Sequence, residues 1–427
     1  MLSACGGGGG GDQSAATAAA GDGLAAPAPA PTTAAEASAP APGATAAAPT
    51  SPAPALSPLA TAAAPSTTAP APAPAPLASS GAVPTLGDCE LFPANNIFNT
   101  RIDDVSRFPA HPNSAAWVDL VGRNVQFHTD WGSNDNPANY GTYYGLPINV
   151  IDGTPATTDW PVVSFDFSTS GAYWETGWPF KSDCAVSDGN GYGMVRDCTS
   201  VQPSQRRFPF PLDWKLQSQG GACNDPATCG DKHVLVVEQG ACRLWESYFA
   251  YKLGGQWYSL ATSAWDLKSN AMRPDDWASS NAAGLPITPL LAKAAEANTG
   301  EIRHALSVAF RDSALALKHA WPGRFSAGGD NPGAIPFGAV LRLKADFVIP
   351  ANWSTQAKAI ATAAKRYGIY VSDNGADFHV GGEPNSAWNE QASQDLKGIT
   401  MNDMEFVDLK SVTSDPRFSP DSMAASW

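Results

Sequence analysis

The sequence predicts a mainly β fold with a few helices: a single large domain of β-sandwich or jelly-roll type behind a disordered tether. Three observations carry this reading. A long N-terminal stretch holds no aromatic residue, short β-branched and aromatic runs then alternate with Gly/Pro/Asn/Asp clusters, and only one helix is strongly signalled.

The tether spans residues 6–85 and is built almost wholly from Gly, Ala, Pro, Thr and Ser. Such a composition cannot bury enough apolar surface to offset the conformational entropy of ordering it. Extended at ~3.1 Å per residue, it reaches on the order of 200 Å. Ahead of it, Leu2-Ser3-Ala4-Cys5 matches the bacterial lipobox, in which small residues precede a cysteine that becomes diacylated. Residues 1–5 supply none of the basic and apolar segments of a complete signal, so they read as its remnant. Two acyl chains on Cys5 would hold the protein stably at a membrane. The expected location is therefore extracytoplasmic, lipid-anchored at a bacterial cell envelope.

Setting Cys5 aside leaves Cys89, Cys184, Cys198, Cys223, Cys229 and Cys242. An even set in an exported protein reads as a disulfide framework. Spacing favours Cys223 with Cys229 and Cys184 with Cys198 as local clasps, and Cys89 with Cys242 as the long-range tie, although other connectivities are open. Paired C-x-x-C units are missing, which disfavours a zinc site built from cysteines. The formal net charge of −14 provides no positive field for a phosphate backbone, so nucleic acid is not an expected partner.

Within residues 86–427, strands are predicted at 146–151, 162–167, 233–238, 242–251, 256–267, 340–349, 369–371 and 404–409. Gly254-Gly255 between aromatic-rich runs makes 242–267 a hairpin. Ser354 is the N-cap of a helix over 355–367 that Gly368 closes. A shorter helix is expected within 387–397. In 301–321 both periods fit, and Val308 and Phe310 favour a strand as far as Phe310. The long polar, glycine-rich and aromatic segments 131–144 and 168–231 read as the walls of a cleft.

No nucleotide, serine-hydrolase, metalloprotease or EF-hand signature is present. Candidate chemistry rests instead on polar residues placed in apolar strands. Glu246, between Leu244 and Tyr248 on one strand face, has the position of a general acid whose pKa burial raises. Asp266 on the partner strand is the candidate base or nucleophile, since glycosidic hydrolysis needs paired carboxylates. The structural alternatives are an ion pair of Glu246 with Arg243 or Arg273 and a turn-capping role for Asp266. His233 and His304 are strand-borne imidazoles suited to hold substrate. Asp373, with Asn374 and Gly375, follows a strand end and is a further candidate base or nucleophile, although Asn-Gly is also a turn signal. Asn270, Arg273 and Trp277 lie in an irregular polar-aromatic segment, 270–286, and are candidate substrate contacts. His128-Thr129-Asp130 has the short spacing of an oriented imidazole or a metal ligand pair, a pattern many loops share. All 14 tryptophans follow the tether, and loop residues such as Trp131, Trp174, Trp178 and Trp277 offer indole faces to sugar rings or plug the core.

Several segments resemble those of a family of secreted bacterial proteins with no assigned activity. They include Phe92-Pro93-Ala94-Asn95-Asn96-Ile97-Phe98-Asn99-Thr100, Leu244-Trp245-Glu246, Trp265-Asp266-Leu267-Lys268-Ser269-Asn270, Ile302-Arg303-His304-Ala305-Leu306 and Asp373-Asn374-Gly375. The resemblance covers most of residues 86–427 and implies one folded unit; it implies no mechanism.

The functional expectation is a surface-tethered, carbohydrate-active enzyme of glycoside hydrolase type. Glu246 would be the acid, Asp266 or Asp373 the base or nucleophile, and His233 and His304 would position substrate. The alternatives are a non-catalytic glycan-binding or adhesion lipoprotein and a structural envelope protein. Expected partners are a polysaccharide or glycan and, through Cys5, the membrane. A monomer without cofactor or metal is expected.

Overall fold

The computed structural model describes residues 82–136, 143–153, 159–172, 174–210, 225–227, 231–329 and 331–427. The chain divides into two units, Gly10–Ala75 and the remainder, and every described residue belongs to the second. The lipobox with Cys5, the tether up to residue 81 and the proposed Cys223–Cys229 clasp lie outside the described residues. The described part is mainly β with few helices. Among the described residues no helix is long and apolar enough to cross a membrane.

Two sheets position the site. Their strands, in chain order, are β1 (His128–Asp130), β2 (Ile148–Asp152), β3 (Val234–Gln239), β4 (Arg243–Tyr248), β5 (Ala261–Asp266), β6 (Leu306–Phe310), β7 (Val340–Leu343), β8 (Ile369–Asn374), β9 (His379–Gly381) and β10 (Met404–Phe406). The six-stranded sheet has the order β10-β7-β8-β6-β9-β1, and the four-stranded sheet the order β5-β4-β3-β2.

In β6, Leu306, Val308 and Phe310 point one way into the core while Ser307 and Ala309 point the other, the period-two pattern of a pleated strand. The helix Thr355–Arg366 packs an alanine-rich face onto this sheet. Ser354 Oγ accepts from the Ala357 N–H, and Gly368 at φ 82° releases the chain directly into β8. The second expected helix is present over Glu390–Leu396.

Two expected pairings of cysteine are present. Cys89–Cys242 closes 153 residues and ties the first described segment to the start of β4, and Cys184–Cys198 closes 14. Two strand expectations need correction. The 242–267 hairpin is broken at Phe249, whose φ of 53° turns the chain, so β4 pairs with β5 while Tyr251–Leu253 and Gln256–Tyr258 pair in a separate sheet. The 340–349 strand stops at Leu343, because a turn closed by Phe347 N–H to Lys344 O interrupts an alternation that the sequence continues.

Candidate functional site

The site begins with an irregularity in the parallel pairing of β6 with β8. Val308 stands opposite Val371 but Ala309 stands opposite Asp373, which leaves Ser372 as an extra residue. A bulge of this kind re-aims the side chains that follow it. β9 runs antiparallel to β6, with His379 opposite Ala309, and parallel to β1, with His128 opposite His379. Directly opposed residues share a face, so Asp373, Ala309, His379 and His128 form one row across the sheet. Small residues pave this face: Ser307, Ala309, Gly375 and Gly381 line a cleft of about 390 Å³.

The opposite wall comes from the chain entering β3 and from the segment after Arg273. Asp231 and His233 lie there, with Asn281 and Ile287. The Tyr248 hydroxyl donates to Asp231 Oδ1 at 2.7 Å, and His233 Nε2 donates to the Ser280 carbonyl at 2.6 Å. Backbone N–H groups of Ala282 and Asn374 donate to Asp373 Oδ1 at 3.3 and 3.0 Å. A second lobe of about 70 Å³ continues past Asp231, Asn281, Asp373 and Asn374 to Trp174, Trp178, Tyr248 and Phe325. One end of the cleft is therefore aromatic and the other polar, with two carboxylates on both lobes.

Electrostatics distinguish Asp373. Burial, reinforced by the charge of Asp231, pushes its carboxyl up to about 7, against the pull of the two backbone donors. With Oδ1 engaged by N–H donors, Oδ2 is the oxygen left to carry a proton. Tyr143 adds a second unusual group: its side chain lines the cleft, is 1% exposed, and its hydroxyl has no hydrogen-bond partner among the described residues.

Of the residues singled out in the sequence, Asp130, His233, Asp373, Asn374 and Gly375 line this cleft. Glu246 does not. It is fully buried, and its carboxylate accepts from the N–H groups of Ile287 and Thr288 and from the Thr288 hydroxyl at 2.8 to 3.0 Å. Burial holds it up to about 7, yet all its oxygens face protein. Asp266 does not join it. Glu246 is opposite Ser263, so Asp266, three residues further on, falls on the other face, where it is exposed and accepts from the Lys268 N–H.

The other expectations are corrected by packing. His304 is 1% exposed and locked between the Ala305 carbonyl, Glu296 and Lys293. Arg273 is buried, donating to Asp183 and to the carbonyls of Lys181 and Ala278, with its guanidinium over Trp277. Trp277 is thus held as a packing partner of Arg273 rather than as a wall of the cleft. Trp131 is a core residue against Trp388 and Gly382. Asn270 clamps Asn95 and Asn96.

Tyr143 and Asp231 fall in the segments 131–144 and 168–231 expected to wall a cleft, and Asn281 in the segment 270–286, but none of them was singled out; Ser307, Ser372 and His379 were missed as cleft residues. One signal was legible: Ser307 and Ala309, on one face of β6, are both small, which is what a strand flooring a cavity needs.

His128, Asp130 and His379 cluster at the polar end of the cleft, which Asp130 and His379 line. The two imidazoles stack with centroids 3.9 Å apart, and His379 Nδ1 lies 4.0 Å from Asp130 Oδ1. No family model, curated protein or solved structure matches the chain.

Proposed function

We propose that the cleft binds a neutral or weakly charged glycan and hydrolyses it, with Asp373 as general acid and Asp231 as its carboxylate partner. The observation that carries this is the half-buried Asp373 carboxyl, held protonated near neutral pH in a cleft it shares with Asp231 and an aromatic lobe. Asp373 would deliver its Oδ2 proton to the glycosidic oxygen. Asp231, fixed by the Tyr248 hydroxyl, would stabilise or attack the developing oxocarbenium carbon, or activate water against it. Trp174 and Trp178 would stack against sugar faces, and Asn281 and Asn374 would bond ring hydroxyls. The protein would act outside the cytoplasm, anchored through Cys5. The two disulfides support the oxidising compartment, and the anchor itself rests on the lipobox alone.

A panel of glycans assayed for released reducing ends tests this. Wild-type chain should cleave at least one, and Asp373→Asn and Asp231→Asn should each lower the rate on the order of 100-fold or more. Cleavage by Asp373→Asn at the wild-type rate would remove it as the acid. If no glycan is cleaved but one binds, and Trp174→Ala abolishes that binding, the non-catalytic glycan-binding reading replaces hydrolysis.

A further inference from the structure

The H-x-D step at 128–130 finds no place in the acid–base chemistry above. Its surroundings give it a different use. His128 and Asp130 are two residues apart on β1 and so project from one face. His379 stands opposite His128 on β9, and Gly381, with no side chain to compete, stands opposite Asp130. One donor atom from each of His128, Asp130 and His379 lies within 4.8 Å of the other two. Among the described residues, no hydrogen bond holds either ring or the carboxylate, and the only ion pair of Asp130 is the 4.0 Å contact with His379.

We infer that His128, Asp130 and His379 form a binding site for a divalent transition metal ion of the zinc class at the polar end of the cleft. Two imidazoles and one carboxylate are the donor set that favours such ions over calcium or magnesium, which prefer all-oxygen shells. Three protein ligands leave a coordination position open, as in sites where zinc binds water or substrate. Asp130 and His379 line the cleft, so that position faces its interior. Ligand bonds of ~2.0–2.2 Å require the donors to draw together and the stacked rings to splay. His128 is exposed and can turn to do this; Asp130, 55% exposed, can follow. Sequence reading missed the set because His379 lies far along the chain from the H-x-D step and joins it only through the parallel pairing of β9 with β1.

Calorimetric titration of the chelator-stripped full chain, free of any histidine tag, tests the site. Zn²⁺, Co²⁺ and Ca²⁺ are the probes, and Co²⁺ is also followed by its visible absorption. One equivalent of Zn²⁺ or Co²⁺ should bind, with Ca²⁺ unable to displace it at equal concentration. His128→Ala and His379→Ala should each weaken Zn²⁺ binding on the order of 100-fold. His128→Ala should leave the circular dichroism unchanged, since that side chain is exposed and, among the described residues, its ring stacks on His379 alone. No binding by the wild-type chain, or undiminished binding by the His128→Ala/His379→Ala double variant, would overturn the assignment. The readout contains no glycan, so its outcome is separate from that of the cleavage assay.

Discussion

Glu246 in the four-stranded sheet and Asp373 at the end of β8 have the same acidity and opposite circumstances. Burial raises each to about 7. Glu246 spends both oxygens on the segment Ile287–Thr288 and has no exposed atom, whereas Asp373 spends one and turns the other toward a cleft. A perturbed carboxyl is thus a site only where an oxygen remains for something other than protein. The same shift at Glu246 belongs to the architecture: the carboxylate fastens Ile287 and Thr288, and Ile287 lines the cleft.

The largest test of this contrast is to neutralise each group in turn. Asp373→Asn retains the acceptor that Ala282 and Asn374 use and removes a carboxyl whose ionisation opposes folding, so stability should not fall and should rise at neutral pH, while cleavage falls on the order of 100-fold or more. Glu246→Ala should do the reverse. It orphans two buried N–H groups and a hydroxyl, and unfolding should become easier by about 3–5 kcal/mol. Activity per folded molecule should be unchanged. Chemical denaturation and the reducing-end assay on the same samples separate the two, and a Glu246→Ala chain that folds normally but has lost turnover would reverse the assignment.

The pH dependence of stability sharpens the comparison next. Glu246 keeps a proton in the folded chain that an unfolded chain releases near pH 4.5. The folded state is therefore favoured fully below about 4.5, and that advantage is lost as pH rises to about 7, where the slope ends. The loss from Glu246 alone is about 3 kcal/mol. Asp373 contributes with the same sign, from its lower unfolded value up to about 7. Glu246→Gln should remove much of the slope between pH 4.5 and 7 in urea midpoints taken at several pH values. An unchanged slope would mean that Glu246 is ionised in the fold. On the catalytic side, activity should decline above about pH 7 as Asp373 loses the proton it must donate.

Much of the fold was legible because local rules decided it. Ser354 and Gly368 bracketed the helix, β6 announced itself by alternation, and two cysteine pairs followed from spacing. The cleft was legible only in part. Asp373 and Asn374 were visible at a strand end, but the bulge at Ser372 that aims them arises from pairing with β6, which sequence period does not encode. Glu246 misled because an acidic residue among apolar neighbours looks the same whether it meets solvent or backbone N–H groups 41 residues away. Asp266 misled because the register that sets Tyr251 opposite Tyr258 also sets Ser263 opposite Glu246, so Ser263 and Trp265 share the face of Glu246 and Asp266 takes the other.

The smallest expected effect concerns the aromatic lobe. Trp174 and Trp178 meet edge to face at 6.2 Å, and both remain partly exposed on the lobe that Asp231 and Asp373 share. An indole that only stacks on a sugar binds ground state and transition state alike, so its loss should raise KM and leave kcat unchanged. Trp178→Ala should weaken glycan binding by about 0.5–1.5 kcal/mol, roughly twofold to twelvefold in KM. Trp131→Ala, which opens a cavity in the core beside Trp388, should instead lower stability with no such change in KM. If Trp178→Ala lowers kcat as strongly as Asp373→Asn does, the lobe takes part in the chemistry, and the division between an aromatic binding end and an acidic reacting end no longer holds.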